Sequence, residues 1–368
     1  MKKIISQVFL AVFILVKESL GLSFLCDYRE TYNFVFRRIR QDMPLTPEQF
    51  YDYKTSEYLR YVADNVALIE ERYAKPLKGM QDSIIKAAES SKEKKRALVI
   101  LGESYLDIPL EQLAAMFDEV VVMGPSKALL EAVKNGELHR LQSDSSETRL
   151  VKKQIPQQLR NKIKTVPYDY TGGVIDRLLR KIYKFYKVWS VYSHVGEVSI
   201  DSFTSYFRKE SVAGSPLAQL EQDDSFDLVV SPRTVNDFLT YPISYINYLF
   251  DLNYQLLQTN SRYPSDFDVA CYELLYKLVR THFDELFRTS RESGRVFVSW
   301  PWLTVSTDPA LSESQRISSQ RRMVFVPPYL VRRLADLFPE SQSKEWEWYL
   351  NDKEAVKIKG YILQKKPN

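Results

Sequence analysis

Residues Arg96–Ser126 read RALVILGESYLDIPLEQLAAMFDEVVVMGPS. An apolar run, Ala97–Leu101, ends at Gly102. A short loop with Glu103, Ser104 and Asp107 follows, then a helical pattern, then a second apolar run, Val120–Met123. Strand, glycine turn, helix and strand make a βαβ unit of the kind that holds nucleotides. The glycine lets the backbone turn sharply and approach a ligand, and the helix N-terminus offers free N–H groups. Asp107 stands before Ile108-Pro109-Leu110 and reads as the cap of the helix, with proline in its first turn.

Working outward, the chain of 368 residues is long enough for one large domain with an extension. Apolar residues make up 45%, which permits a substantial core. Only 11 glycines occur, which argues against a glycine-rich phosphate cradle. Neither G-x-x-x-x-G-K-[ST] nor G-x-G-x-x-G is present, so a P-loop nucleotidase and a dinucleotide oxidoreductase are disfavoured. The net charge of +4 points weakly to any polyanion. Cys26 and Cys271 are too few and too distant for a disulfide framework or a zinc site, and read as buried thiols. His139, His194 and His282 lack metal-ligand spacing, so no metal is expected.

Residues 1–26 read two ways. Lys2 and Lys3 precede an apolar run over residues 4–16, the pattern of a signal or membrane-contacting segment. The same run also suits a helix packed on the domain. The rest of the chain reads as cytoplasmic. Residues 27–93 form a helical cap, with a capping box at Thr46, Pro47 and Gln49. Residues 94–368 alternate apolar runs with amphipathic helices. Strands are expected at Ala97–Leu101, Val120–Met123, Ile163–Val166, Asp227–Val230, Val296–Trp300 and Val356–Leu363. Helices are expected at Leu110–Phe117, Lys127–Asn135, Val174–Trp189 and Asp268–Thr289. Such alternation implies an α/β, doubly wound, mostly parallel sheet. Residues 190–224 read as an insertion. Glu345–Lys365 reads as an antiparallel hairpin turning at Asn351–Asp352.

Taken in order, these elements resemble a class I S-adenosylmethionine-dependent methyltransferase, a Rossmann-like family whose seven-stranded sheet ends in a hairpin. Four landmarks carry the resemblance, and each departs from or matches the family in a definite way. At Gly102 the family's loop has several glycines; here one remains, with Glu103, Ser104 and Tyr105 beside it. Where the second strand ends, the family has an acid for the ribose hydroxyls; here stands Met123-Gly124-Pro125-Ser126. After the third strand, Val166-Pro167-Tyr168-Asp169-Tyr170-Thr171-Gly172-Gly173 puts Asp169 where the family contacts the adenine amino group. A turn carboxylate bonding its own backbone is the competing reading of Asp169. The fourth strand, Phe226-Asp227-Leu228-Val229-Val230-Ser231, ends at a small polar residue, with Asp227 structural.

The resemblance thus implies S-adenosylmethionine as cofactor, contacted by Gly102, Glu103, Ser104, Gly124, Asp169, Tyr170 and Ser231. Arg233, Asn236 and Trp302 become substrate-cleft candidates, Trp302 because it follows the expected fifth strand. No catalytic residue is assigned, because methyl transfer from a sulfonium depends chiefly on alignment. Ser231-Pro232-Arg233-Thr234 is not the Asn/Asp-Pro-Pro-Tyr of enzymes that methylate amino nitrogens, and no Pro-Cys nucleophile occurs. A small-molecule acceptor is the first reading. A degenerate relative serving as a binding module is the second, on the eroded loop and the missing acid. A nucleic-acid-binding or RNA-modifying protein is the third, on the basic side of the helix Arg177–Lys187, where Arg177, Arg180, Lys181, Lys184 and Lys187 recur at helical spacing.

Overall fold

Helix α1 (Pro47–Asp64) opens on the capping box read from the sequence: Gln49 N donates to Thr46 Oγ1 at 3.3 Å, and Thr46 N donates to Gln49 Oε1 at 2.9 Å. Helix α2 (Val66–Glu89) follows after Asn65 and carries a stripe of fully buried side chains, Leu77, Met80, Ile84, Ala87 and Ala88. Such burial contributes roughly 1.5–3 kcal/mol for each large apolar side chain, and it seats α2 on one face of the central sheet. The computed structural model describes residues 44–102, 105–136, 138–143, 148–152, 154–191, 198–212, 224–254, 264–318, 320–322, 342–349 and 353–364. The apolar segment 4–16, Cys26 and the Asn351–Asp352 turn lie outside the described residues. No described helix is long and apolar enough to cross a membrane.

The sheet is built on five strands, β1 (Arg96–Ile100), β2 (Glu119–Gly124), β5 (Ile163–Pro167), β6 (Phe226–Pro232) and β7 (Ser290–Ser306). Of these, β1, β2 and β6 are apolar on both faces, while β5, at the edge, keeps Lys164 exposed. All five are mutually parallel, in the order β5-β2-β1-β6-β7. Strands β9 (Gln342–Tyr349) and β10 (Glu354–Gln364) complete the path as β7-β10-β9, with β10 antiparallel to both neighbours. Every residue of β6 is buried because helices cover both faces. Helices α2, α3 (Leu110–Met116) and α4 (Lys127–Asn135) lie on one side. Helices α6 (Val174–Val191), α8 (Asp237–Phe250) and α9 (Asp266–Thr289) lie on the other. Asp227 is structural as expected: Lys95 N and Arg96 N donate to its Oδ2, and Arg291 pairs with its Oδ1. Cys271 is a buried free thiol on α9.

Three elements differ from the expectation. A separate hairpin, β3 (His139–Ser143) with β4 (Thr148–Lys152), stands between α4 and α5 (Gln157–Arg160). Leu141 and Leu150 are their buried residues among those described, so no continuous apolar run marks them in the sequence. Within residues 190–224, a 3-10 turn (Ile200–Phe203) and α7 (Thr204–Arg208) plant Phe203 and Phe207 in the core. Strand β7 continues to Ser306 rather than ending at Trp300. Ile358 pairs with Pro301 and Lys357 with Leu303, so Trp302 is the extra residue of a bulge inside the strand rather than the start of a loop.

The hairpin is locked to α2 by one indole. A Cβ on Gly79 of α2 would stand 2.5 Å from Trp346 Nε1, and one on Gly360 of β10 would stand 2.5 Å from Trp346 Cζ3. Trp346 of β9 therefore needs glycine on both sides. Gly360→Ala is expected to lower stability in urea unfolding by about 1–3 kcal/mol, as overpacking does. The same substitution in a Trp346→Leu background should cost much less; equal costs in both backgrounds would remove the wedge from the account.

Candidate functional site

The strand order reverses between β1 and β6, and ligands of open α/β sheets bind in the crevice at the carboxyl ends of the strands at such a switch point. The chain there is drawn tight. Leu101 N donates to Met123 O at 2.7 Å, and Tyr168 N donates to Gly124 O at 2.9 Å. A Cβ at Gly124 would lie 2.7 Å from Leu101 O, and one at Gly102 would lie 2.1 Å from Asp237 Oδ2. Both glycines are thus required by close approach. Glu103 and Ser104 lie outside the described residues.

Asp107 corrects its reading as a helix cap. The residue ahead of α3 is Pro109, and no side chain caps that helix. Asp107 instead ends a 3-10 turn, Tyr105–Asp107, fully buried, and takes both a 2.6 Å bond from Arg233 Nε and a 2.8 Å bond from Arg233 Nη2. Burial alone would lower the Arg233 guanidinium, but the charge and hydrogen bonds of Asp107 raise it above its ordinary value. Burial likewise raises the Asp107 carboxyl above its ordinary value, and the charge and hydrogen bonds of Arg233 oppose that rise. Arg233 also stacks on Trp348 of β9, 4.4 Å from the ring centroid. Trp348 in turn stacks on Tyr73 of α2, with centroids 4.4 Å apart. Arg233 has φ +52°, a left-handed backbone unusual for a side-chain-bearing residue, and its N–H reaches Ser299 O at 2.9 Å.

On the other side of the switch point, Asp169 follows β5. Its Oδ1 accepts from Thr171 N at 2.8 Å and from the Thr171 hydroxyl; its Oδ2 accepts from Asp176 N at 3.4 Å. Burial raises its pKa, and these bonds oppose the rise. Gly172 and Gly173, at φ +68° and +79°, make the turn that brings the chain back into α6. Tyr170 is buried, 3.5 Å through its hydroxyl from Asp237 Oδ2. Ser231 Oγ lies 2.8 Å from His282 Nε2 of α9, a pair enclosed by the rings of Tyr170 and Phe238. Burial pulls the His282 imidazole down to about 3, so it is neutral.

The structure therefore brings Gly102, Arg233, Asp237 and Tyr170 into one buried group, with Asp169 and Gly124 at the neighbouring strand ends. It does not bring Trp302 there: that indole donates to Glu345 Oε2 at 3.1 Å and faces Lys359. Asn236 closes the 3-10 turn Thr234–Asn236 ahead of α8. Ser126, beside Gly124, accepts from Leu129 N at 3.2 Å and caps α4. Three of the five basic residues on that side of α6 are engaged by acids: Arg177 and Lys181 both pair with buried Glu210, and Arg180 pairs with Asp176 and Glu48, while Lys187 lies over the Tyr183 ring. Among the described residues no cluster of three or more His, Cys, Asp or Glu is arranged to hold a metal ion. The sequence places Asp237 beside Asn236 on the helix turn after the fourth strand, where it can face the cleft, but the site contact of His282 and the pairing of Asp107 with Arg233 are marked by no local pattern.

No family model matches the chain, and no curated protein does. Among solved structures it is similar to an S-adenosylmethionine-dependent methyltransferase of Leishmania major, at 12% identity over 86% of this chain and 85% of that one, with a TM-score of 0.36. It is also similar to DhpI in complex with S-adenosylhomocysteine, at 8% identity over 85% and 98%, TM-score 0.32. A putative methyltransferase of Methanococcus maripaludis matches at 12% identity over 84% and 95%, TM-score 0.31. These likenesses are low, and the architecture is read from the strand order itself, with β10 antiparallel to both neighbours and the short β8 (Arg321–Arg322) antiparallel to β7 off the main path. The architecture is an α/β, doubly wound, mostly parallel sheet with an antiparallel C-terminal hairpin, the strand order that the resemblance to class I methyltransferases leads one to expect.

Two predictions follow from the buried titratable groups of the site. Arg233→Met leaves the Asp107 carboxylate unpaired and should cost about 3–5 kcal/mol in urea unfolding, while Asp107→Leu with Arg233→Met should recover most of it. A double variant as unstable as the single would mean that the pair is not what binds the loop. The His282 ring stays neutral when folded and takes a proton below 6.5 when unfolded, so stability is full above 6.5 and falls as pH drops towards 3. By pH 5 the loss from this ring should be about 2 kcal/mol. His282→Gln should flatten that slope in chemical unfolding measured between pH 5 and 7.5.

Proposed function

We propose that the chain binds S-adenosylmethionine at the carboxyl ends of β1, β2, β5 and β6 and transfers its methyl group to a small-molecule acceptor. The observation that carries this reading is the group at the switch point: Gly102 with bare backbone, backed by the Asp237 carboxylate and beside the Asp107–Arg233 pair. A methionine head is a zwitterion, and an acid and a base at one turn of backbone are the chemistry that would hold it. Asp237 lies in the field of Arg233 and supports its charge. At the other end, the Asp169 carboxylate retains acceptor capacity beyond its bonds to Thr171 and Asp176, as an adenine amino group requires.

When bound, the cofactor supplies an electrophilic methyl on a sulfonium. The protein's part is to align and to keep water out. Tyr170, Tyr241 and Phe238, all buried, line the apolar side of the same group. The ribose is where the fit fails to follow the family: β2 ends at Gly124 without an acid, and the Ser126 hydroxyl is committed to the α4 cap. That same observation favours a second reading, a methyltransferase-like protein that has kept the fold and lost the cofactor.

Calorimetric titration of the full chain with S-adenosylmethionine and S-adenosylhomocysteine separates the two. Binding in the micromolar range is expected. A folded sample that gives no heat with either ligand would leave the degenerate reading standing.

A further inference from the structure

The sheet's carboxyl edge is crossed by α1, which is no part of the βαβ winding. Phe50 packs against Tyr245 and Tyr248 of α8, at 4.8 and 5.6 Å between centroids. About two turns further on, Tyr58 meets Tyr105 of the β1 loop edge-on at 5.7 Å. Between these ends α1 rests on α4 and α6, the helices that follow β2 and β5. It thus roofs the strand ends at which the nucleoside half of the proposed cofactor would lie.

Tyr51 is the residue α1 points inward there. It is 7% exposed, with its ring 4.7 Å from that of Tyr241, and its hydroxyl makes no hydrogen bond. A buried hydroxyl without a partner costs about 1–3 kcal/mol, and native structures rarely keep one without a use. Its surroundings are acidic. Burial first, and then the charges of Asp169 and Asp176, push the phenol well above its ordinary pKa, so it is a neutral hydroxyl able both to donate and to accept. Tyr170 and Tyr241 stand beside it, and Tyr170 in turn reaches Asp237. A ribose hydroxyl likewise both donates and accepts, and it has no carboxylate at the end of β2 to meet.

We infer that Tyr51 is a ligand-contacting residue, its hydroxyl bonding the nucleoside of the cofactor beside Asp169 and taking over the recognition that an acid after β2 would otherwise provide. The inference rests on the proposed function. It makes α1 part of the binding site.

The test is calorimetric titration of the full chain and of Tyr51→Phe with S-adenosylhomocysteine, together with the thermal midpoint of each unliganded protein. The variant should bind about tenfold more weakly, with a midpoint unchanged or raised because an unpaired hydroxyl has been removed. Binding by both proteins with equal affinity overturns the inference and leaves the proposed function intact. A lower midpoint for the unliganded variant also overturns it, by showing that the hydroxyl serves the fold. Absence of binding by the unmodified chain overturns the proposed function and this inference with it.

Discussion

One buried ion pair ties the three parts of this molecule together. Asp107 belongs to the loop after the central strand, Arg233 to the end of the neighbouring strand, and the two are 126 residues apart in sequence. Neither charge is worth burying alone, since desolvation costs several kcal/mol per ion unless the partner geometry is good. Here two short bonds satisfy the carboxylate, and the free face of the guanidinium lies on Trp348. Trp348 comes from the C-terminal hairpin and leans on Tyr73 of the N-terminal helix pair. The loop that would hold a ligand, the hairpin that closes the sheet and the helix that covers it therefore share one electrostatic anchor. The left-handed backbone of Arg233 is held in place by the same contacts.

The architecture was legible where physics acts locally. Val99, Val122 and Val230 stand in runs that are apolar on both faces, and such runs can only be central strands or buried helices. Thr46 and Gln49 close a helix start over three residues, so the capping box could be read directly. The β3–β4 hairpin escaped because His139–Ser143 and Thr148–Lys152 are mostly polar, with Leu141 and Leu150 paired across it as the buried residues described. The bulge at Trp302 escaped because it arises from pairing with a strand more than fifty residues away.

The candidate site was legible only in outline. Gly102, Gly124, Asp169 and Ser231 could be named because they end strands, and strand ends can be found from apolar runs. What each of them touches could not. Ser231 meets His282 at a separation of 51 residues, and Gly102 meets the Asp237 carboxylate. Tyr51 gave no signal at all: in α1 it is one aromatic among several, and only the fold sets it beside Asp169. Asp107 was misread for the same reason, because a carboxylate before Ile-Pro-Leu has a sufficient local explanation and its distant partner has no local trace.

Glycine scarcity links this packing to the recognition we propose. A loop with several glycines lets bare backbone N–H groups wrap a ligand at little steric cost. This chain has 11 glycines, and the structure places several where neighbouring atoms approach: Gly79 and Gly360 against Trp346, Gly124 against Leu101 O, Gly102 against Asp237. Among the described residues of the β1 loop, Tyr105 and Asp107 carry buried side chains where bare backbone would otherwise face a ligand. Recognition at such an edge must then pass from backbone to side chains: an acid and a base at the switch point, a carboxylate after β5 and a phenol brought in by α1. Side chains held by an ion pair and an aromatic roof are as well positioned as a glycine turn, but they depend on the whole molecule being folded around them. A helix that crosses the strand ends and a hairpin that anchors Arg233 are, on this argument, parts of the site.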